Sequence, residues 1–148
     1  MSGNDEALDF ALAMHALLRR YQFQDVEQVC EYGITLTECH ALELVALAGP
    51  LSVNDLAREL RVNKSTASRA VQSLAGKNLV QREVDGEDAR AWRLAPTPAG
   101  RKLFARILAG SVRCYAAMLE EFSPAERRTA LKVLRRLSAE ALCSVQKT

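Results

Sequence analysis

The chain has 148 residues, 49% of them hydrophobic and 26% charged, and a net charge of only +2. That length suits one compact domain, or one domain with a dimerisation arm, and the apolar content excludes a disordered chain. No apolar run approaches the roughly 20 residues that span a bilayer, and the acidic start MSGNDEALDF lacks the basic region of a secretory signal. A cytoplasmic protein without membrane contact is therefore expected.

The spacing predicts a first helix over residues 5–30, with Leu8, Ala11, Leu12, His15, Leu18 and Tyr21 on one stripe and Leu17 widening it. Gly33 breaks the pattern. A second helix is expected to start at Thr37 as its cap and to run through Leu42, Val45 and Leu47 to Gly49-Pro50, which stops it.

Leu51 to Arg93 organises the chain. Ser52 can accept a hydrogen bond from the amide three residues on, and Asp55 stands where a capping-box acid reaches back. Leu56, Ala57 and Leu60 then form an apolar stripe. Arg61, Val62 and Asn63 make a short turn, with Asn63 as the natural cap of the next helix. In that helix Ala67, Ala70, Val71 and Leu74 face inward, and Ala57 is small where the two helices cross. The pair reads as a helix-turn-helix. The outward residues of the second helix are Lys64, Ser65, Thr66, Ser68, Arg69 and Gln72, all hydrogen-bond donors and none acidic. Hydroxyls approach phosphates and base edges closely, and Arg and Gln reach bases bidentately, so this set suits the major groove of double-stranded DNA. The alternative is an ordinary solvated face.

Leu79 to Val84 alternates as a strand, with Leu79, Gln81 and Glu83 on one side and Val80, Arg82 and Val84 on the other. Ala91 to Ala95 supplies the returning strand, with Trp92 and Leu94 on one side, and Leu51 is expected to add one strand residue to this sheet. The turn between them, Asp85 to Arg90, is built from Asp, Gly and charge. Arg90 at its tip could enter the narrow minor groove, with Asp88 holding the guanidinium. The alternative is a plain hairpin with an exposed tip charge.

Thr97-Pro98 opens a fifth helix of about six turns carrying Leu103, Phe104, Ile107, Leu108, Val112, Tyr115 and Leu119. Ser123-Pro124-Ala125-Glu126 starts a sixth, with Leu131, Val133, Leu134, Leu137 and Ala141 on its apolar face. These two read as an antiparallel pair. Together with the first helix they carry more apolar surface than the small centre can cover, so they are expected to pack against their copies in a second chain; the alternative is an intrachain bundle. Two recognition helices related by a two-fold axis would read a palindrome. Charge follows the same division: residues 51–106 hold 11 Lys and Arg against 6 Asp and Glu, a net +5, and the remainder has 9 against 12. A basic centre is the footprint of a DNA-reading module.

In their joint order LTECHALELVAL, LARELRVNKSTASRAVQSLAGKNLVQRE and DARAWRLAPTPAG resemble the MarR family of winged helix-turn-helix transcription regulators. The middle two thirds match closely and the flanking helices by pattern. Three positions depart: Asn78 stands where the family usually has Gly, Ala89 replaces one Arg of the wing, and Pro96 replaces a Leu. The resemblance implies a mainly α fold with a small β wing. Residues 1–148 would form a single domain, with 35–96 as the DNA-binding lobe and 5–34 and 97–148 as dimerisation helices. It implies a homodimeric DNA-binding regulator, a repressor of a palindromic operator, that needs no cofactor and is released by a signal.

Three signals are compatible with such a fold. A small molecule could bind between the first, second and fifth helices against His15, Tyr21, His40 and Tyr115, each of which is equally suited to core or interface. Thiol oxidation could act on Cys30, Cys39 or Cys114; the four cysteines, with Cys143, show no C-x-x-C pairing, and a cytosolic chain is not expected to join them in structural disulfides. Cys39 sits in a helical first turn, where the dipole favours thiolate. Zinc would draw on Cys30, Cys39 and His40, of which only His40 matches the ligand type the family uses there. An enzyme is not expected, since the sequence has no Gly-rich phosphate loop, no His and carboxylate cluster and no nucleophile elbow. The remaining alternative is a winged helix that binds protein rather than DNA, which random DNA at varied salt would separate.

Overall fold

A computed structural model describes residues 3–84 and 92–141, the side chains of 22–30, 140 and 141 excepted. Eight elements follow in order: α1 (Gly3–Cys30), α2 (Leu36–Ala48), α3 (Val53–Leu60), α4 (Lys64–Gly76), β1 (Val80–Val84), β2 (Trp92–Pro96), α5 (Pro98–Leu119) and α6 (Pro124–Ala141). The chain forms two units, 1–107 and 108–148. No helix among the described residues is long and apolar enough to cross a membrane.

In the first unit α2 is the central post, packed by α1, α3, α4 and β2. Its Leu42 and Val45 are fully buried with Leu56 of α3, Leu74 of α4 and Leu94 of β2. Each such side chain contributes roughly 1.5–3 kcal/mol by leaving water. Leu103, Phe104 and Ile107 of α5 pack against this cluster, so the first turns of α5 share the core of the first unit. Among the described residues every fully buried side-chain nitrogen or oxygen has a hydrogen-bond partner.

One detail of α2 differs from the sequence reading. Its cap is Thr35 rather than Thr37: the Thr35 hydroxyl accepts from the Glu38 amide, and the Glu38 carboxylate accepts from the Thr35 amide, each at 3.2 Å. Only Thr35 has an acid three residues on to close the box. Leu47 is 66% exposed, because it lies two residues beyond buried Val45 and so on the opposite side of the helix.

β1 and β2 pair antiparallel with Val80 opposite Pro96 and Val84 opposite Trp92. Leu51 adds a bridge to Leu94, exchanging both backbone hydrogen bonds at 2.7 and 3.3 Å. Since Leu94 turns its backbone groups to Leu51, those of residue 96 face the same way, away from β1. The missing N–H of Pro96 therefore costs the ribbon no ladder bond. Alternation does not translate into burial along β1: Val80 is buried but Val84 is 52% exposed, because the ribbon runs out past the core that supports its base.

Three backbone positions join the lobe to α5. Asn78 has φ +57°, a left-handed conformation that Asn tolerates better than other non-glycine residues. This conformation accounts for Asn at a position where the resemblance leads one to expect Gly. The Thr97 hydroxyl donates to the Asn78 carbonyl at 2.6 Å and accepts from the Gly100 amide at 3.0 Å, while the Thr97 amide donates to the Leu79 carbonyl at 3.1 Å. Gly100 lies directly under that carbonyl; a Cβ on it would stand 1.9 Å from the Leu79 oxygen. The Arg106 guanidinium stacks 5.4 Å from the Tyr32 ring and ties α5 to the segment before α2.

In the second unit Ser123 and Glu126 form the expected capping box of α6, the Ser123 amide donating to Glu126 at 2.8 Å. The end of α5 and the described part of α6 do not pack along each other, so the antiparallel pair is not formed within one chain. Their apolar residues stand in water instead: Val112 is 56% exposed, Leu131 49% and Leu134 51%.

Candidate nucleic-acid interface

The recognition helix is fixed from both ends and from below. At its start the Asn63 side-chain oxygen accepts from the Thr66 amide at 2.8 Å and from the Ser65 hydroxyl at 2.7 Å. Ala67, Ala70, Val71 and Leu74 are buried, as the sequence predicts. Lys64, Ser65, Arg69 and Gln72 are consequently exposed, with Thr66 and Ser68 half-buried beside them. All six lie on one helix, and an Arg69 Nη donates to the Thr66 hydroxyl at 3.5 Å, a contact that orients the guanidinium along the surface. Asp88 and Arg90 of the wing tip lie outside the described residues.

The sequence reading missed how the helix end is held. Lys77 Nζ, just past α4, donates to Glu38 Oε2 of α2 at 2.6 Å. Glu38 is buried, which raises its pKa, but hydrogen bonds from Lys77, Ser73 and the Thr35 amide outweigh this and leave it below the ordinary carboxylate value. Lys77→Met should leave that carboxylate buried without its cation and cost roughly 1–3 kcal/mol. The sign with pH follows: wild-type stability from this pair is present above the unfolded carboxylate pKa and is lost as pH falls through the lower folded value. Without Lys77 only the Ser73 and Thr35 bonds oppose burial, so the Glu38 pKa rises from its wild-type value and the acid limb should move to higher pH in urea melts taken from pH 7 to 3. An unmoved acid limb in Lys77→Met would contradict the role given to the pair.

Asp55 has a similar part in α3. The Ser52 hydroxyl and amide donate to it at 2.6 and 3.2 Å, Arg58 at 2.7 Å and Arg93 of β2 at 3.4 Å. The Ser52 bonds and the Arg58 contact hold its carboxyl below the ordinary range. The cap of α3 therefore also pins the wing. Arg61 closes α3 in the left-handed region at φ 54°, making the sharp turn between the two helices.

The effector candidates are spread over both units. His15, Tyr21, Cys39 and His40 belong to the first, and Cys114 and Tyr115 to the second. Cys39 is buried while neighbouring His40 is exposed, so the two leave α2 on different sides. The side chain of Cys30 lies outside the described residues. Among the described residues no three His, Cys, Asp or Glu side chains are grouped to hold a metal ion.

Residues 32–91 match the family model described as MarR family. The HTH-type transcriptional repressor MdtR of Bacillus subtilis is 26% identical over 133 residues, covering 90% of this chain and 86% of its own. A MarR-family transcriptional regulator from Silicibacter pomeroyi is 28% identical with a TM-score of 0.72, covering 86% of both chains. A MarR family protein from Bacillus stearothermophilus, at 21% identity, shares the fold with a TM-score of 0.84 over 95% of this chain and 99% of its own. Sequence and fold agree: residues 32–91 carry the MarR-family match, and the chain is similar along most of its length to MarR-family transcription regulators.

Proposed function

We propose that the protein is a homodimeric repressor that binds a palindromic operator in the cytoplasm and is released by a chemical signal. The observation that carries the reading is the outer face of α4, where six donor side chains and no acid stand on a helix held rigid by its cap and the Glu38–Lys77 pair. In this reading Arg69 and Gln72 reach base edges, and Lys64, Ser65, Thr66 and Ser68 meet phosphates and nearby edges. Arg90, steadied by Asp88, enters the adjoining minor groove. Repression is supported by the relative named as a repressor.

Dimerisation is supported by the apolar residues left in water on a single chain: Leu8, Leu12 and Leu18 of α1, 52–59% exposed, and the α5 and α6 faces described above. Apolar faces of this extent on soluble proteins mark contact surfaces. For the signal, burial of Cys39 suits an inert thiol rather than a sensor, and Cys114 is the more accessible of the two. A zinc site using both Cys39 and His40 would require α2 to be remodelled, which favours a small molecule or a thiol signal.

Selection from a random duplex library tests the reading. Wild-type protein should enrich an inverted repeat. Arg69→Ala should relax preference at one position of each half-site and cost about 1–3 kcal/mol, whereas Lys64→Ala should weaken all sequences alike and lower the salt slope by about one. Enrichment of no sequence, or a single unrepeated site, would count against the palindrome.

A further inference from the structure

The two faces of the wing ribbon differ in character. Alternation and register place Arg82, Val84, Trp92 and Leu94 on one face and Gln81, Glu83 and Arg93 on the other. The acid thus lies on the second face, where the Gln81 amide donates to Glu83 at 2.8 Å. Trp92, the chain's one tryptophan, is 58% exposed. The first face forms a wall of a cleft of about 280 Å³ whose opposite wall is the start of α3 and α4, with Asn54, Lys64 and Ser68 facing Arg82 and Trp92 above Leu94. No carboxylate is among its described lining residues.

We infer that this cleft seats the sugar–phosphate backbone of one DNA strand, with Trp92 packed against deoxyribose and Arg82 and Lys64 on the flanking phosphates. The inference rests on the DNA-binding reading above. Lys64 is the first residue of the recognition helix and Trp92 the first described residue after the wing loop. A duplex that takes α4 in its major groove and the wing in the neighbouring minor groove must lead the strand dividing those grooves over this gap. The lining fits such a strand better than other ligands. A lone anion would use the cations but not the exposed indole, and an apolar small molecule needs enclosure that an open cleft does not give. A backbone strand presents apolar sugar edges and anionic phosphates side by side, as the lining does.

The single tryptophan is also the probe. A random-sequence duplex of roughly 25 base pairs, long enough for two half-sites, is titrated into the full chain while labelled-DNA anisotropy and Trp92 emission are followed together. DNA should shield Trp92 from acrylamide, saturating with the anisotropy. Trp92→Ala should weaken selected and random duplexes alike, by about tenfold, and leave the salt slope unchanged because no charge is lost. Trp92→Phe should recover most of the affinity, and Arg82→Gln should reduce the slope by about one. Binding of duplex by wild type with Trp92 still open to acrylamide, and Trp92→Ala binding like wild type, would overturn the seat while leaving the DNA-binding function in place. Wild-type protein that binds no duplex would overturn both. Should Trp92→Ala prove unfolded by circular dichroism, shielding of Trp92 in the wild type decides.

Discussion

Gly100→Ala should lower the stability of the DNA-binding lobe by about 3 kcal/mol or more, a large effect for one methyl group in a helix. Alanine ordinarily favours a helix, so the sign comes entirely from packing. The added Cβ would stand 1.9 Å from the Leu79 carbonyl oxygen and 2.9 Å from its carbon, whereas ordinary C···O contacts lie near 3.3 Å. That carbonyl cannot turn aside, since it accepts from the Thr97 amide at 3.1 Å. Nor can α5 retreat without drawing Thr97 off the Asn78 carbonyl. Relief therefore requires the α4–β1 turn and the start of α5 to part, and the wing is strung between them. Urea melts should show the loss, and duplex affinity should fall with it. Ala99→Gly, at an exposed neighbouring position, is the control and should cost only about 0.5–1 kcal/mol. A Gly100→Ala protein as stable as wild type would remove the close approach from the account.

Leu134→Asp should abolish dimerisation and, with it, operator binding. Leu131, Val133 and Leu134 of α6 are 49, 43 and 51% exposed in the single chain. In the proposed dimer they are covered, and a carboxylate placed in that contact would cost several kcal/mol. Every DNA-contacting side chain proposed above belongs to the other unit and should stay folded, so circular dichroism should report a helical protein. Two half-sites act together only when their spacing is fixed, so a monomer should bind operator and random duplex with similar, weak affinity. Sedimentation at micromolar concentration should find wild type as a dimer and the mutant as a monomer or an aggregate. A folded mutant that remains dimeric would move the interface elsewhere.

What the sequence made legible was local. Ser52–Asp55, Asn63 and Ser123–Glu126 are caps because a side chain three residues from an amide can satisfy it. The inward set of α4 follows from helical spacing alone. The Thr35 cap was equally legible, since Glu38 three residues on completes the box that Thr37 lacks. What stayed hidden joins distant positions. Glu38 meets Lys77 across 39 residues, and Asp55 meets Arg93 across 38. Spacing along one helix carries no sign of either. Gly100 reads as a weak helical residue until Leu79 is placed above it. Arg82 and Trp92 were visible on one strand face each, but the register that brings those faces together is a tertiary fact.

The central claim is that this winged helix binds duplex DNA, and salt dependence tests it most directly. Wild-type protein is titrated into a labelled random-sequence duplex at ionic strengths from about 50 to 200 mM, where counterion release dominates nonspecific affinity. The account predicts binding that weakens steeply and log-linearly with salt, by several powers of ten for a dimer making six or more phosphate contacts. Absence of binding at the lowest salt, or an affinity indifferent to salt, would contradict it.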